Sequence, residues 1–302
     1  FLYFSLMIAY IAAGAPLLIS LTGIQLPNAA SFAFFTLLFG FVVAIGIRFI
    51  DRLNYLLTAA LFATYFFMMF KGGSEVVYDR LLFMKWKGMF YAAPILFCAF
   101  GYHNIIPSLT YHFKKNARVM RLGIFFGTLI PLIIYIAWQG LIIGAVPKSY
   151  IAEALQKGQP ITEALSYLTG TSWVKKLGRI FGLFALTTSL LGVAFSVVDF
   201  IGDGLKMKRT GLSRIVLCFL TFFPSFVLAC LDPSVFVFAI GIAGGFGEAF
   251  LNGILPVWLV WIGRYKKRME SDYLLPGGKW TLMGLLLLSF VVIGLEVVNL
   301  MR

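Results

Sequence analysis

Apolar residues along the chain come in long blocks separated by short clusters of Lys, Arg, Gly and Pro. The blocks fall near residues 2–22, 31–50, 54–70, 89–113, 119–146, 173–202, 211–230, 234–263 and 280–300. A helix needs about 20 apolar residues to cross a hydrocarbon core of ~30 Å. The pattern therefore predicts one polytopic, all-α membrane domain over 1–302 with about nine transmembrane helices. The fourth block is unusual at its centre, where Gly101, His103, Asn104 and Pro107 stand together. Lipid cannot satisfy the backbone groups that a break exposes, so a break survives only beside protein or a water-filled cavity. The residues predict a helix broken at Phe100–Asn104. Half-helix ends would present N–H groups one way and bare carbonyls the other, which suits a zwitterionic solute.

Two connections carry more polar sequence. Residues 72–88 hold Glu75, Asp79, Arg80, Lys85 and Lys87 and are expected at the membrane surface. Residues 147–172 contain two short helix-like pieces, 149–155 and 162–165, split by Gly158 and Pro160. Basic residues set the orientation, because Lys and Arg are enriched in short cytoplasmic loops. With the start of the chain inside and its end outside, the clusters Arg48/Arg52, Lys114–Arg121, Lys206–Arg214 and Arg264–Lys279 all fall inside. They account for 15 of the 25 basic residues. The tight outer loops 23–30 and 231–233 carry none.

At 61% hydrophobic and 12% charged the chain is more apolar than a soluble domain. Its formal charge of +13 is dispersed in short clusters rather than gathered on a polar face, which argues against a nucleic-acid partner. Cys98, Cys218 and Cys230 have no metal-like spacing and read as packing residues. No charged leader with a cleavage site is visible, so targeting is expected to reside in the spans. The chain opens on Phe1 inside an apolar run, as expected of a chain whose true start lies upstream. Nothing in the pattern sets an oligomeric state.

No hydrolase elbow, phosphate loop or metal signature is present, so an enzyme is not expected and no cofactor is implied. The glycine-rich stretch 241–247 lacks a G-x-G-x-x-G match and a preceding strand, and reads as close helix packing or a second kink. Ionisable groups at membrane depth usually line pathways. His103 is thus a candidate for the substrate or proton path, against the alternative of a polar side chain capping broken backbone. Glu248, midway along its run, is a candidate coupling group that needs a proton or a hydrogen bond to be buried. Asp199 is either a coupling group or a partner for the basic residues 206–209. Glu296, within two turns of the outer end, is expected at the interface. Thr187, Thr188 and Ser189 offer hydroxyls that either ligate an ion or bond back to their own helix. The 17% aromatic content does not by itself establish an aromatic substrate.

The stretch Ala99-Phe100-Gly101-Tyr102-His103-Asn104-Ile105-Ile106-Pro107-Ser108 resembles the motif F-G-[FY]-H-x-x-[IV]-P-S of the hydroxy and aromatic amino acid permeases, the tyrosine-specific ones in particular. The likeness extends to residues 9–15, 130–139, 186–195 with Asp199, and 221–224. It implies the amino acid–polyamine–cation superfamily, a five-plus-five inverted repeat, and proton-driven import of an aromatic amino acid across a bacterial inner membrane. It also implies that Phe100, Gly101, Tyr102, His103 and Asn104 bind substrate. Measured against eleven-span relatives, the chain fits their third to eleventh spans. With only one of the two broken helices visible, the expectation is that this chain alone does not transport. Asn104-Ile105 stands where small residues are common, and Glu248 matches no motif of that family. Two rivals remain: a sodium-coupled carrier, with Thr188 and Ser189 as ion ligands, and a non-transporting fragment or membrane scaffold.

Overall fold

The computed structural model describes residues 1–82, 86–103, 106, 109–110, 113–114, 116–156, 161, 172–231, 235–270 and 276–301. Among these, all regular structure is helical. The helices are α1 (Leu2–Thr22), α2 (Asn28–Ile45), α3 (Ile47–Gly72), α4 (Tyr78–Leu81), α5 (Trp86–Tyr91), α6 (Ala93–Ala99), α7 (Ala117–Ala145), α8 (Lys148–Gln156), α9 (Ser172–Gly204), α10 (Gly211–Leu231), α11 (Phe236–Ile242), α12 (Leu255–Trp261) and α13 (Gly278–Leu300). Ala243–Ile254, between α11 and α12, is a π-helix. In lipid every backbone N–H and C=O must find its partner within the protein, and a helix does this locally. Among the described residues, eight helices are long and apolar enough to cross a membrane.

The apolar run near 31–50 is parted by Gly46. Its φ of +130° is open to glycine but strained for other residues, so α2 closes at Ile45 and α3 opens at Ile47. Arg48 and Arg52 consequently lie in the first turns of α3 rather than in a loop. The run near 89–113 is not one helix. It begins with α5 and α6, α-helix is interrupted after Ala99, and the described residues Ile106, Leu109 and Thr110 are α-helical again. The piece predicted at 149–155 is α8, whereas 162–165 lies outside the described residues.

The chain forms two compact units. One comprises residues 3–84 and 137–239. Here α9 lies along α3, and α10 along α2. Its core includes Met68, Leu141, Ile142, Ala145, Val146 and Ala154, with Trp138 and Phe181 packed against it. Tyr65, Trp138 and Phe181 form a ring cluster with centroids 5.1 to 6.5 Å apart. Arg80 donates from Nη1 to the carbonyls of Gly144 (3.2 Å) and Ala145 (2.5 Å). A cation there satisfies last-turn carbonyls and complements the negative end of the α7 dipole.

The other unit comprises residues 1–2, 85–136 and 240–302. At its centre the π-helix packs against α6 and α13. Glycines permit the close approach: a Cβ at Gly244 would overlap the Pro94 carbonyl oxygen, and one at Gly253 would overlap Ser289. The Leu255 N–H bonds to the Phe250 carbonyl, an i to i−5 link. Pro256 follows with no N–H to offer an α-type bond. The glycine-rich stretch is thus a packing surface and an irregular helix at once.

Replacing Gly244 by Ala drives a methyl into a backbone carbonyl that cannot rotate away. The expected cost is about 1–3 kcal/mol of overpacking, read as a lower thermal midpoint and a smaller monodisperse fraction in detergent. Gly294→Ala, where a Cβ meets open space, is expected to leave both unchanged.

Candidate functional site

The site is built where α6 stops. Phe100 closes the helix with φ −108° and ψ 15°, its N–H still bonded to Leu96 O at 3.2 Å. Gly101 N–H turns back to Cys98 O at 3.1 Å, and Gly101 and Tyr102 are outside any helix. The break predicted from the sequence is therefore present over Phe100–His103. Asn104, with Ile105, Pro107, Ser108 and His112, lies outside the described residues.

Aromatic side chains hold the broken backbone. Phe100 meets Tyr135 edge-on, with centroids 5.6 Å apart and an interplanar angle of 74°. Tyr135 Oη donates to Ala99 O at 3.4 Å, covering one of the carbonyls exposed where the helix ends. Tyr102 Oη lies 2.7 Å from Thr128 Oγ1. Because Thr128 spends its only hydroxyl proton on Ile124 O at 2.8 Å, Tyr102 is the donor in that pair.

Glu248 approaches the break from the π-helix. It is 2% exposed, and its Oε2 lies 3.2 Å from His103 Nδ1. Asn252, four residues further along, donates to the same oxygen. The carboxylate occupies the space over Gly101, so that a Cβ there would overlap it. The acid and the imidazole thus stand side by side at the break, and Asn252 fixes the carboxylate's orientation.

A second carboxyl is buried in the same unit. Glu296, expected at the interface, is only 3% exposed. Its side chain fills the slot over Gly241 and Gly245, and Asn299 donates to it at 3.3 Å while also donating to Tyr91 O at 3.2 Å. Distance from the end of an apolar run misplaced Glu296, because a neighbouring helix covers it. The glycine pair four residues apart was the available signal. Thr128, Tyr135 and Asn252 also escaped the sequence reasoning. Asn252, spaced four residues from Glu248, was the most legible of them.

Thr188, Ser189 and Asp199 belong to the other unit. Thr188 donates back to Ala185 O at 3.0 Å, Thr187 is buried, and Ser189 is exposed. Asp199 Oδ1 lies 3.1 Å from Arg209 Nε, and Arg209 also pairs with Asp203. The interaction between Asp199 and the following basic connection is therefore present.

The Tryptophan/tyrosine permease family model matches residues 1–296. Tyrosine-specific transport system 1 of Haemophilus influenzae is 32% identical over 97% of this chain and 74% of its own length. Tyrosine-specific transport system 2 of the same organism is 30% identical over 96% and 73%. A tryptophan-specific transport protein of Pseudomonas aeruginosa is 28% identical over 90% and 67%. No solved structure gives a significant match. A helical, multi-pass architecture, a span broken at its motif and a family match along almost the whole length agree: the chain belongs to the tryptophan/tyrosine permease family.

Proposed function

We propose that this chain imports an aromatic amino acid, tyrosine in preference to tryptophan, together with a proton. The transport is across a bacterial inner membrane, with the start of the chain on the cytoplasmic face and its end on the periplasmic face. The observation that carries the reading is the contact of Glu248 with His103 and Gly101, an acid–imidazole pair seated on the break. Loading a proton there neutralises a buried charge, and losing it restores one. Either change alters the electrostatics of the backbone that would hold the substrate.

Substrate groups have matching chemistry nearby. The carbonyl end of α6 suits an ammonium, and the Phe100 and Tyr135 rings suit an aromatic side chain. Tyrosine is favoured because the two tyrosine-specific systems match at 32% and 30% over 97% and 96% of the chain, against 28% to 30% over 81% to 92% for the tryptophan-specific proteins. The Thr188 hydroxyl is turned onto its own helix, which gives sodium coupling no particular support.

With the two upstream spans of an eleven-span relative supplied alongside the chain, uptake of labelled tyrosine into proteoliposomes is expected to collapse with a protonophore and to persist when choline replaces sodium; the chain by itself is expected to stay at background. Unlabelled tyrosine should compete better than tryptophan or phenylalanine. Strict sodium dependence would overturn the coupling, and stronger competition by tryptophan the substrate preference.

As proton symport, wild-type uptake should rise as external pH falls. Glu248→Gln keeps the shape of the side chain but cannot titrate, so its remaining uptake should lose that dependence. An unchanged pH profile would remove Glu248 from the coupling step.

His103→Ala should lower uptake about tenfold or more, at ~1.4 kcal/mol per decade. Gly101→Ala should do the same by pushing a methyl into the Glu248 carboxylate. Both variants should still insert in the membrane, as judged by yield and size-exclusion profile. Near-normal uptake in both would detach the break from the transport path.

A further inference from the structure

Within the unit of residues 3–84 and 137–239, α2 and α10 leave a cavity of about 920 Å³ between them. Its walls are largely apolar, formed by Leu37, Gly40, Phe41, Phe219, Phe222 and Phe223, with Thr36 and Cys218 as the polar exceptions along its length. Leu37, Phe41 and Phe219 are each more than half exposed, so among the described residues nothing covers this wall. The character changes at one end, where Arg209, Thr210 and Arg214 line the cavity.

The two arginines differ. Arg209 is paired with Asp199 and Asp203. Arg214 donates from Nε (3.2 Å) and Nη2 (2.8 Å) to the Val43 carbonyl in the last turn of α2. Those bonds hold the guanidinium at the mouth of the groove, and among the described residues its Nη1 makes no hydrogen bond. Among the described residues no carboxylate lies within ion-pair distance of Arg214, although the Asp199 carboxylate, held by Arg209, feels its charge. Lys206 and Lys208, exposed in the same connection, add positive charge without an acid. Arg209, Arg214, Lys206 and Lys208 thus outnumber Asp199 and Asp203 at the mouth, which calls for an anion, and the groove behind it calls for an apolar chain.

Length narrows the choice. From Arg214 to Phe226 the groove follows twelve residues of α10, about 18 Å at 1.5 Å per residue. That is close to one leaflet of a ~30 Å hydrocarbon core. A second transmembrane helix would also bury the aromatic wall, but it would have to bring its own carboxylate to Arg214. A phospholipid supplies phosphate and tail in one molecule.

We infer that the groove between α2 and α10 binds one anionic phospholipid, its phosphate on Arg214 and an acyl chain along Phe219, Phe222 and Phe223. Assignment to the cytoplasmic leaflet, where anionic lipids attract basic clusters, rests on the orientation proposed above. The binding itself does not.

The test is retention of phospholipid by the purified chain. The protein is incubated in detergent with phosphatidylglycerol or phosphatidylcholine, desalted, and assayed for lipid per chain by native mass spectrometry. About one phosphatidylglycerol should remain, and phosphatidylcholine should wash away. Arg214→Gln keeps a donor for Val43 but removes the charge, and should weaken retention about tenfold or more. Gly40→Leu fills the groove from the wall opposite: a Cβ there meets Phe222 at 3.7 Å, an ordinary contact, so the larger side chain should displace the lipid without breaking the fold. If one variant aggregates, the other and the comparison of the two lipids decide. Equal retention of both lipids, no retention by the wild type, or full retention in a folded variant overturns the inference. So does a lipid-independent dimer that Gly40→Leu breaks, which would assign the groove to a second copy of the chain.

Discussion

A carboxylate taken out of water must find hydrogen bonds or a counter-charge, and an isolated one costs several kcal/mol. Glu248 meets that demand with a hydrogen bond from Asn252 on its own helix, and His103 on the broken segment stands against the same oxygen. The arrangement ties three features together. The π-helix carries the acid, the end of α6 at Ala99 frees the backbone to bring His103 against it, and Gly101 leaves the space the carboxylate occupies. Change any one and the acid loses either its partner or its room.

The π-helix serves the same constraint on its other contacts. Runs of i to i−5 bonding are rare and usually occur at functional sites, and here twelve residues adopt it. Gly245, with Gly241 of α11 before it, receives Glu296, Gly244 receives the Pro94 carbonyl, and Gly253 receives Ser289. Glycine makes a poor helix interior by about 1 kcal/mol relative to alanine, yet side chains at these positions would hold α6 and α13 too far away. Close packing thus places two buried carboxyls, Glu248 and Glu296, against a single element.

In the other unit the polar work is done at helix ends. Arg80 caps the carbonyls of α7, Arg214 caps the last turn of α2, and Arg209 joins Asp199 to Asp203. Basic residues in the connections therefore also close helices, because the carbonyl dipoles of a last turn emerge there.

The sequence by itself determined the all-helical membrane architecture, because about 20 apolar residues in a row leave no other way to satisfy the backbone in lipid. The break at Phe100–His103 was equally legible, since Gly, His, Asn and Pro together make no sense inside an intact span. The family resemblance lay in that same stretch. What the tertiary structure decided was pairing. Glu248 and His103 are 145 positions apart in the chain, and no periodicity along one helix reports what stands opposite it. Glu296 was misread for that reason: depth along its own run suggested an interface, while Gly241 and Gly245 of another helix buried it. The position of the turn at Gly46 was likewise misjudged from hydropathy, because the glycine at positive φ redirects the chain two residues before the first charge, Arg48, which lies inside the next helix.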